Sequence, residues 1–465
     1  MTKNIFVFIC YKMAALPKEI QYNKPMAALP SDTQMNNINV RPSNGASFTA
    51  GGNIIQFDLP AHSFLVPSSL TLRGLFKITP HANTNIIEIR GVPAASWIQR
   101  VETIVGGSLL ESVNDYGRLY NMIGQTKIDY ATKAGLQVEL ALGGGGIDGL
   151  TPKNPNFHTL NGRAGPTSTG DDAIAGEFPF ALPLGCLLSS CAELIPLGHM
   201  GGVRIQITTA QLAEYMTAVL QANGNATTLP VVAFTDLELN FDLVDFGAGM
   251  DSVVRSMADA NGDLVMKSQG WNSTNVNLPA SAGATSATYI YNVRLSSIKS
   301  LVLQGTGEAG EDAINGGYDA VRVAGKTGST QFFVANRPFP PTPLRETNSA
   351  AVMSSLRQAF GEAHDVYSSN IAIPDKQWTK LANPVGADAA ASNIHEPASH
   401  FVGVNTEKLS TNAVMMSGES SQLTPINVRL ESSDALHADA TLTLFANYDA
   451  LISLNVPTRQ IAVRV

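Results

Sequence analysis

Alternation of apolar and polar residues, recurring along the whole chain, limits most what this sequence can fold into. Val203, Ile205 and Ile207 alternate with Arg204, Gln206 and Thr208. Leu237, Leu239, Phe241 and Leu243 alternate with Asp236, Glu238, Asn240 and Asp242. Ile426, Val428 and Leu430 alternate with Asn427, Arg429 and Glu431. A period of two buries one face of a strand and wets the other, as in antiparallel sheets packed face to face. Further strands are predicted at Ile54–Leu59, Leu70–Ile78, Ile98–Val105, Tyr289–Leu303, Phe332–Ala335 and Leu442–Leu454. The connections are rich in Gly, Pro, Asn and Ser. One of them, Gly143–Asp172, has no apolar period, and connections of that length serve a function or an interface.

Two segments break the pattern. In LLESVNDYGRLYNM, Leu109, Val113, Tyr116, Leu119, Tyr120 and Ile123 fall at helical spacing, and Gly124 follows as a stop. In SAAVMSSLRQAF, from Ser349 to Phe360, Val352, Met353, Leu356 and Phe360 share a face and Gly361 follows. Each predicted helix comes after a similar strand: Ser68-Ser69-Leu70 precedes the first and Ser296-Ser297-Ile298 the second. The order of elements therefore repeats at half the chain length. This predicts two domains of one architecture, residues 41–250 and 251–465, with the boundary in Gly247–Val254. Residues 1–40 carry the pentapeptide MAALP at Met13 and again at Met26, have no period, and read as an extended arm.

At 465 residues the chain is long enough for two sizeable cores. Charged residues make up 15%, against roughly 25% in ordinary soluble domains. Two readings fit: surfaces covered by other subunits, or a wet surface built of Ser, Thr, Asn and Gln. A net charge of −8 with no basic run argues against sequence-specific nucleic-acid binding. The apolar run Ile5–Cys10 is shorter than a signal peptide requires and Lys12 closes it; no stretch of about 20 apolar residues suits a membrane helix. These features predict assembly in the cytoplasm of the cell that makes the protein.

The candidate chemistry is sparse, and the expectation is a non-enzyme with no catalytic, cofactor-binding or metal-binding residues. Cys10, Cys186 and Cys191 form no disulfide framework, and the latter two read as small core residues. Gly325-Lys326-Thr327 resembles the end of a phosphate-binding loop, but Ala320 stands where the motif needs glycine. Gly143–Gly146 lacks a strand–helix frame and reads as a flexible connection. His395 and His400 flank Glu396 at a spacing that does not share a helix face, and read as exposed loop histidines. Glu111 and Asp115, four apart on the first predicted helix, read as its wet face rather than as an acid–base pair. Asn225 and Asn272 fit the glycan-acceptor pattern, which has no bearing without export.

Five segments together resemble the double jelly-roll major capsid proteins of tailless icosahedral DNA viruses. They are IIQFDLPAHSFLVPSSLTLRGLFKI (Ile54–Ile78), SWIQRVETIVGGSLLESVNDYGRLYNMI (Ser96–Ile123), AELIPLGHMGGVRIQITTAQ (Ala192–Gln211) with VVAFTDLELNFDLVDF (Val231–Phe246), YIYNVRLSSIKSLVLQG (Tyr289–Gly305) and LTLFANYDALISL (Leu442–Leu454). They cover about a quarter of the chain, in the expected order. The resemblance implies an all-β fold of two tandem eight-stranded jelly-roll sandwiches with short flanking helices. It implies a virion protein that forms homotrimers of pseudo-hexagonal outline and tiles an icosahedral shell. The implied partners are copies of itself, penton or minor capsid proteins, and an internal membrane where a virion has one. It makes the first helix a packing wedge. The competing reading is a carbohydrate-binding or carbohydrate-active β-sandwich, which would want clustered tryptophans; Trp97, Trp271 and Trp378 are far apart.

Overall fold

A computed structural model describes residues 32–79, 86–127, 139, 159–163, 176–220, 224–225, 231–247, 249–277, 284–306, 320, 322, 324, 327–361, 373, 399–408, 416–433, 436 and 441–465. The predicted arm up to residue 31, His395, the Gly143–Gly146 run and Gly325-Lys326 lie outside them.

The alternating segments form the strands their period demands. In the first half one sheet runs β10 (Gly176–Pro183), β5 (Thr71–Thr79), β15 (Val231–Asp245), β4 (Phe64–Leu65), β11 (Ile195–Pro196). Along β15 it also carries β1 (Gln34–Val40) and β2 (Ser47–Thr49). The facing sheet runs β3 (Ile54–Asp58), β12 (Val203–Thr209), β7 (Ile98–Val105), β8 (Ser108–Asn114). A smaller sheet is added, ordered β14 (Gly224–Asn225), β13 (Met216–Leu220), β6 (Ile86–Arg90), β9 (Thr159–Arg163). Strand β9 falls inside the segment that reads as a structureless connection.

The second half repeats the plan. One sheet runs β16 (Leu264–Asn277), β23 (Thr441–Asn455), β18 (Ile298–Thr306), β21 (Phe401–Asn405), with β24 (Gln460–Arg464) on β23. The other runs β17 (Ser286–Tyr291), β22 (Ile426–Glu431), β19 (Ser329–Val334), β20 (Arg337–Arg345). The correspondence is strand for strand: β1–β2, β15, β5, β10 match β16, β23, β18, β21, and β3, β12, β7, β8 match β17, β22, β19, β20. This is the jelly-roll order traced twice. Helices α1 (Pro93–Ser96), α2 (Tyr116–Lys127), α3 (Leu212–Tyr215), α4 (Met250–Asn261) and α5 (Ser349–Ala359), with short 3-10 turns at Pro67–Ser69, Leu197–His199 and Glu346–Asn348, complete the described elements. Helices α2 and α5 follow equivalent strands, β8 and β20.

The cores follow from the inward residues. Ile205, Ile207, Phe57, Phe234 and Phe241 are fully buried between the first two sheets. Trp97 stacks on Phe234 at 4.2 Å between ring centroids and meets Phe180 edge-on at 5.9 Å. Inward residues of β15 change phase midway, from Val232 and Phe234 to Leu237, Leu239 and Phe241. A bulge between Thr235 and Glu238, with Asp236 at φ 50°, absorbs the extra residue and keeps both sets on one face. Leu237 then lies over Gly74, where a Cβ would come within 2.5 Å of its Cδ2.

Three expectations about elements need correction. Residues 34–40 are not arm: all seven of β1 pair with β15, Gln34 opposite Asp245 through Val40 opposite Leu239. Tyr289–Leu303 is not one strand; β17 and β18 belong to opposite sheets, separated by Asn292–Ser297. The segment that holds the predicted boundary carries helix α4, which begins at Met250 and buries Val254 and Ala258. Leu109–Asn114 is strand β8 rather than helix, and α2 starts only at Tyr116.

The seam between the two sandwiches as candidate functional site

The cause of that last correction lies just upstream. Gly106 and Gly107 sit at φ 57° and 81°, values that a two-residue I′ hairpin requires and L side chains resist. The hairpin returns the chain as β8 against β7, Val113 opposite Val101. Asp115, at φ 49°, then turns the strand into α2, and its carbonyl accepts the first helical bond from the Leu119 N–H at 3.0 Å. Two glycines between apolar runs were the local signal for this hairpin.

Strand β8, Asp115 and α2 form the first half's side of the contact between the two halves. Glu111, read from sequence as wet, is only 6% exposed. Its Oε2 accepts the Leu187 N–H at 2.6 Å, while Oε1 is buried without a hydrogen bond. Burial pushes this carboxyl up to about 8, against the opposing pull of the Leu187 N–H. Beside it, the Tyr116 hydroxyl accepts the Gly185 N–H at 2.8 Å and is held well above its ordinary pKa by burial. These two bonds clamp the segment around Gly185–Leu187 onto β8 and α2.

From the other side comes β16. Ser268 Oγ donates to the Leu187 carbonyl at 2.5 Å, and Ser273 Oγ donates to the Asn114 carbonyl at 2.6 Å. Asn275 Nδ2 donates to Asp115 Oδ2 at 2.8 Å, and Gln99 Nε2 reaches Asp115 Oδ1 at 3.3 Å. The Ala192 N–H donates to the Lys267 carbonyl at 3.1 Å. Gly270 permits the close approach: a Cβ there would lie 2.5 Å from the Tyr448 hydroxyl and 3.1 Å from Leu187 Cδ2. The seam is thus built from small polar residues on β16 against backbone and two buried carboxyls. Glu111 and Asp115 do not share a helix face: Glu111 lies on strand β8 and Asp115 just past its end, and each holds a different chain segment.

Asp115→Ala is therefore expected to cost about 2–4 kcal/mol, from lost buried hydrogen bonds and from alanine at a left-handed φ. Chemical denaturation would measure it; a loss below 0.5 kcal/mol would show that the Asn275 bond does not hold the seam.

The remaining sequence candidates sit elsewhere. Cys186 and Cys191 are free and buried, with thiols pushed up to about 11 and about 12 by burial, as core residues rather than ligands. His400 is not an exposed loop histidine: it is 4% exposed, and its Nε2 lies 3.0 Å from Oε2 of buried Glu346, which Arg322 Nε approaches at 3.4 Å. That trio is buried in the second half and ties Arg322 and His400 to the turn Glu346–Asn348 that leads into α5. Asn272 accepts from Thr274 Oγ1 at 3.2 Å, and Asn225 lies in β14. Among the described residues no group of three or more His, Cys, Asp or Glu is placed to hold a metal ion. No described helix is long and apolar enough to cross a membrane.

No protein-family model and no curated protein sequence matches this chain. Solved structures do. The Faustovirus major capsid protein superposes with a TM-score of 0.58 at 10% identity, over 95% of this chain and 93% of that one. The chain in the PBCV-1 virus capsid matches at 0.53 and 10% identity, over 96% and 99%. The mavirus major capsid protein matches at 0.51 and 11% identity, over 97% and 94%. At such identities the likeness establishes the fold, a double jelly roll spanning nearly the whole chain.

Proposed function

We propose that this chain is a major capsid protein. It is a structural subunit, not a catalyst, that self-assembles as trimers of pseudo-hexagonal outline and tiles an icosahedral virion shell. One observation carries the reading: two sandwiches of the same strand order in one chain, joined side by side through β16 and β8, in a fold shared end to end with capsid subunits of three viruses. Three copies of a two-sandwich chain around a threefold axis present six similar blocks, which lets a threefold object sit in a hexagonal net. The dilute charge, 15%, suits contacts that dehydrate without stranding ions. The domain limits we propose are residues 34–250 and 251–465, the first extended by β1. Residues 1–31 we propose as an arm that reaches neighbouring subunits or the shell interior. Penton or minor capsid proteins, and an internal membrane where present, are the further partners.

Negative-stain microscopy of the purified protein tests this. The expected particles are compact, with a hexagonal outline and threefold averages; particles holding only one double sandwich would contradict it.

A further inference from the structure

The two halves of the chain do not meet by like faces. The first half offers β8 and the turn into α2, and the second offers β16: Ser273 Oγ donates to the Asn114 carbonyl at 2.6 Å, and Asn275 Nδ2 donates to Asp115 Oδ2 at 2.8 Å. Strands β8 and β16 are not counterparts. The counterpart of β8 in the second half is β20, which like β8 ends its sheet and leads into a helix. The counterpart of β16 in the first half is β1 with β2, which like β16 flanks the long strand of its sheet. Each half therefore has two mating sides and uses one of them within the chain. Among the described residues no strand pairs the outer edge of β1 or of β20.

A contact between unlike sides is heterologous, and when it repeats it closes into a ring or runs on as a filament. We propose that the seam repeats between chains: β20 and the turn into α5 of one copy pack on the β1–β2 edge of the next, as β8 and the turn into α2 pack on β16. The inference rests on the capsid reading and gives its trimer an interface, a ring of six blocks in which contacts within and between chains are of one kind. The two free sides suit this role. Gln34–Val40 contains no charged residue and no proline, the usual guards of an exposed strand edge, and its Met35 is 63% exposed. A single chain would leave this unguarded edge in water. Strand β20 does not cover it as a further strand of the sheet, because Pro338, Pro340, Pro341 and Pro343 have no N–H to donate. Nor do β8 and β16 pair as a ladder; side chains and carbonyls join them. In β20, Pro340–Pro343 bulge out opposite Gln331, whose Nε2 donates to the carbonyls of Pro340 at 3.3 Å and Pro341 at 3.4 Å. This sets Pro341, Thr342 and Pro343 as an exposed, preformed rim for the neighbour.

The test uses the full chain carrying p-benzoylphenylalanine, which on irradiation cross-links to whatever lies against it, in place of exposed Ala46 between β1 and β2 or of exposed Thr342 in the bulge. The expected product in each case is a denaturant-resistant band at twice the 49.2 kDa chain mass. Peptide mapping should join position 46 to Arg337–Phe360 of a second chain, and position 342 to Gln34–Thr49 of a second chain. Light scattering on the same samples separates the two readings. A trimer whose cross-links map elsewhere, residues 1–31 included, overturns this interface and leaves the capsid reading standing. A monomer that gives no double-mass band overturns both.

Discussion

Deletion of residues 1–40 is expected to leave a chain that no longer folds to a stable double sandwich, while deletion of residues 1–31 leaves the fold intact. Strand β1 supplies seven consecutive residue pairs to one edge of β15. It also brings side chains that β15 needs. Asn240 is 3% exposed, and its Nδ2 donates to Asn37 Oδ1 at 2.6 Å and also bonds Asn39 Oδ1. Asn37 Nδ2 in turn donates to Asp242 Oδ1 at 2.7 Å. Without β1, the backbone edge of β15 from Leu239 to Asp245 opens, and Asn240 loses its partners. Each hydrogen bond lost from the opened edge costs about 0.5–1.5 kcal/mol net, and a bare edge of this length invites aggregation. Several such losses are comparable to the whole stability of a domain, about 5–15 kcal/mol. Thermal unfolding of the two truncations decides it. If the 1–40 deletion melts within two or three degrees of the full chain (differences under about 1 kcal/mol), β1 is an ornament and not the first strand of the fold.

The second large effect is on pH dependence. Glu111 holds its proton in the folded chain up to about 8, whereas the same carboxyl in the unfolded chain releases it near its model value of 4.5. Between these values the folded state binds more protons than the unfolded state, so raising the pH favours unfolding. The stabilisation is fully present below about 4.5 and is lost as pH rises through about 8. Each pKa unit of separation is worth about 1.4 kcal/mol, so the total is on the order of a few kcal/mol. Glu214, half-buried and also raised by burial, acts in the same direction, and Asp58, lowered chiefly by its bond to Arg204, acts in the opposite one. The effect is therefore read as a difference between the wild type and Glu111→Gln. The two should be close in stability near pH 4.5, and the glutamine form should be the more stable by a few kcal/mol at pH 9. Parallel stability curves across that range would show that Glu111 ionises as freely in the folded chain as in the unfolded one.

These two cases also mark where sequence reasoning stopped. Strands such as β12 and β22, and helix α5 with Val352 and Leu356 inward and Gly361 at φ 78°, were legible because their signals are local and periodic. So was the half-chain repeat, since it needs only the order of elements. Strand β1 was not: QMNNINV shows only one short apolar alternation, Ile38 and Val40 about Asn39, and its asparagines and backbone are held by residues some 200 positions away. The Leu109–Asn114 segment misled for another reason. Leu109 and Val113 fit a helical spacing by coincidence, and the Gly106-Gly107 turn that overrides it lies outside the window. The seam was invisible in one dimension. Glu111 meets Leu187, 76 residues on, and Asp115 meets Asn275, 160 residues on. A carboxylate in a strand looks wet until the segment that buries it is known.

The central claim is that this double sandwich is a self-assembling shell subunit, and its most direct test is the molar mass of the purified full chain by light scattering at micromolar concentration. The account predicts three times the 49.2 kDa chain mass, or a larger assembly of such trimers. It also predicts that added salt alone does not reduce that mass, because salt weakens mainly exposed ion pairs. A monomer mass of 49.2 kDa under the same conditions would contradict it.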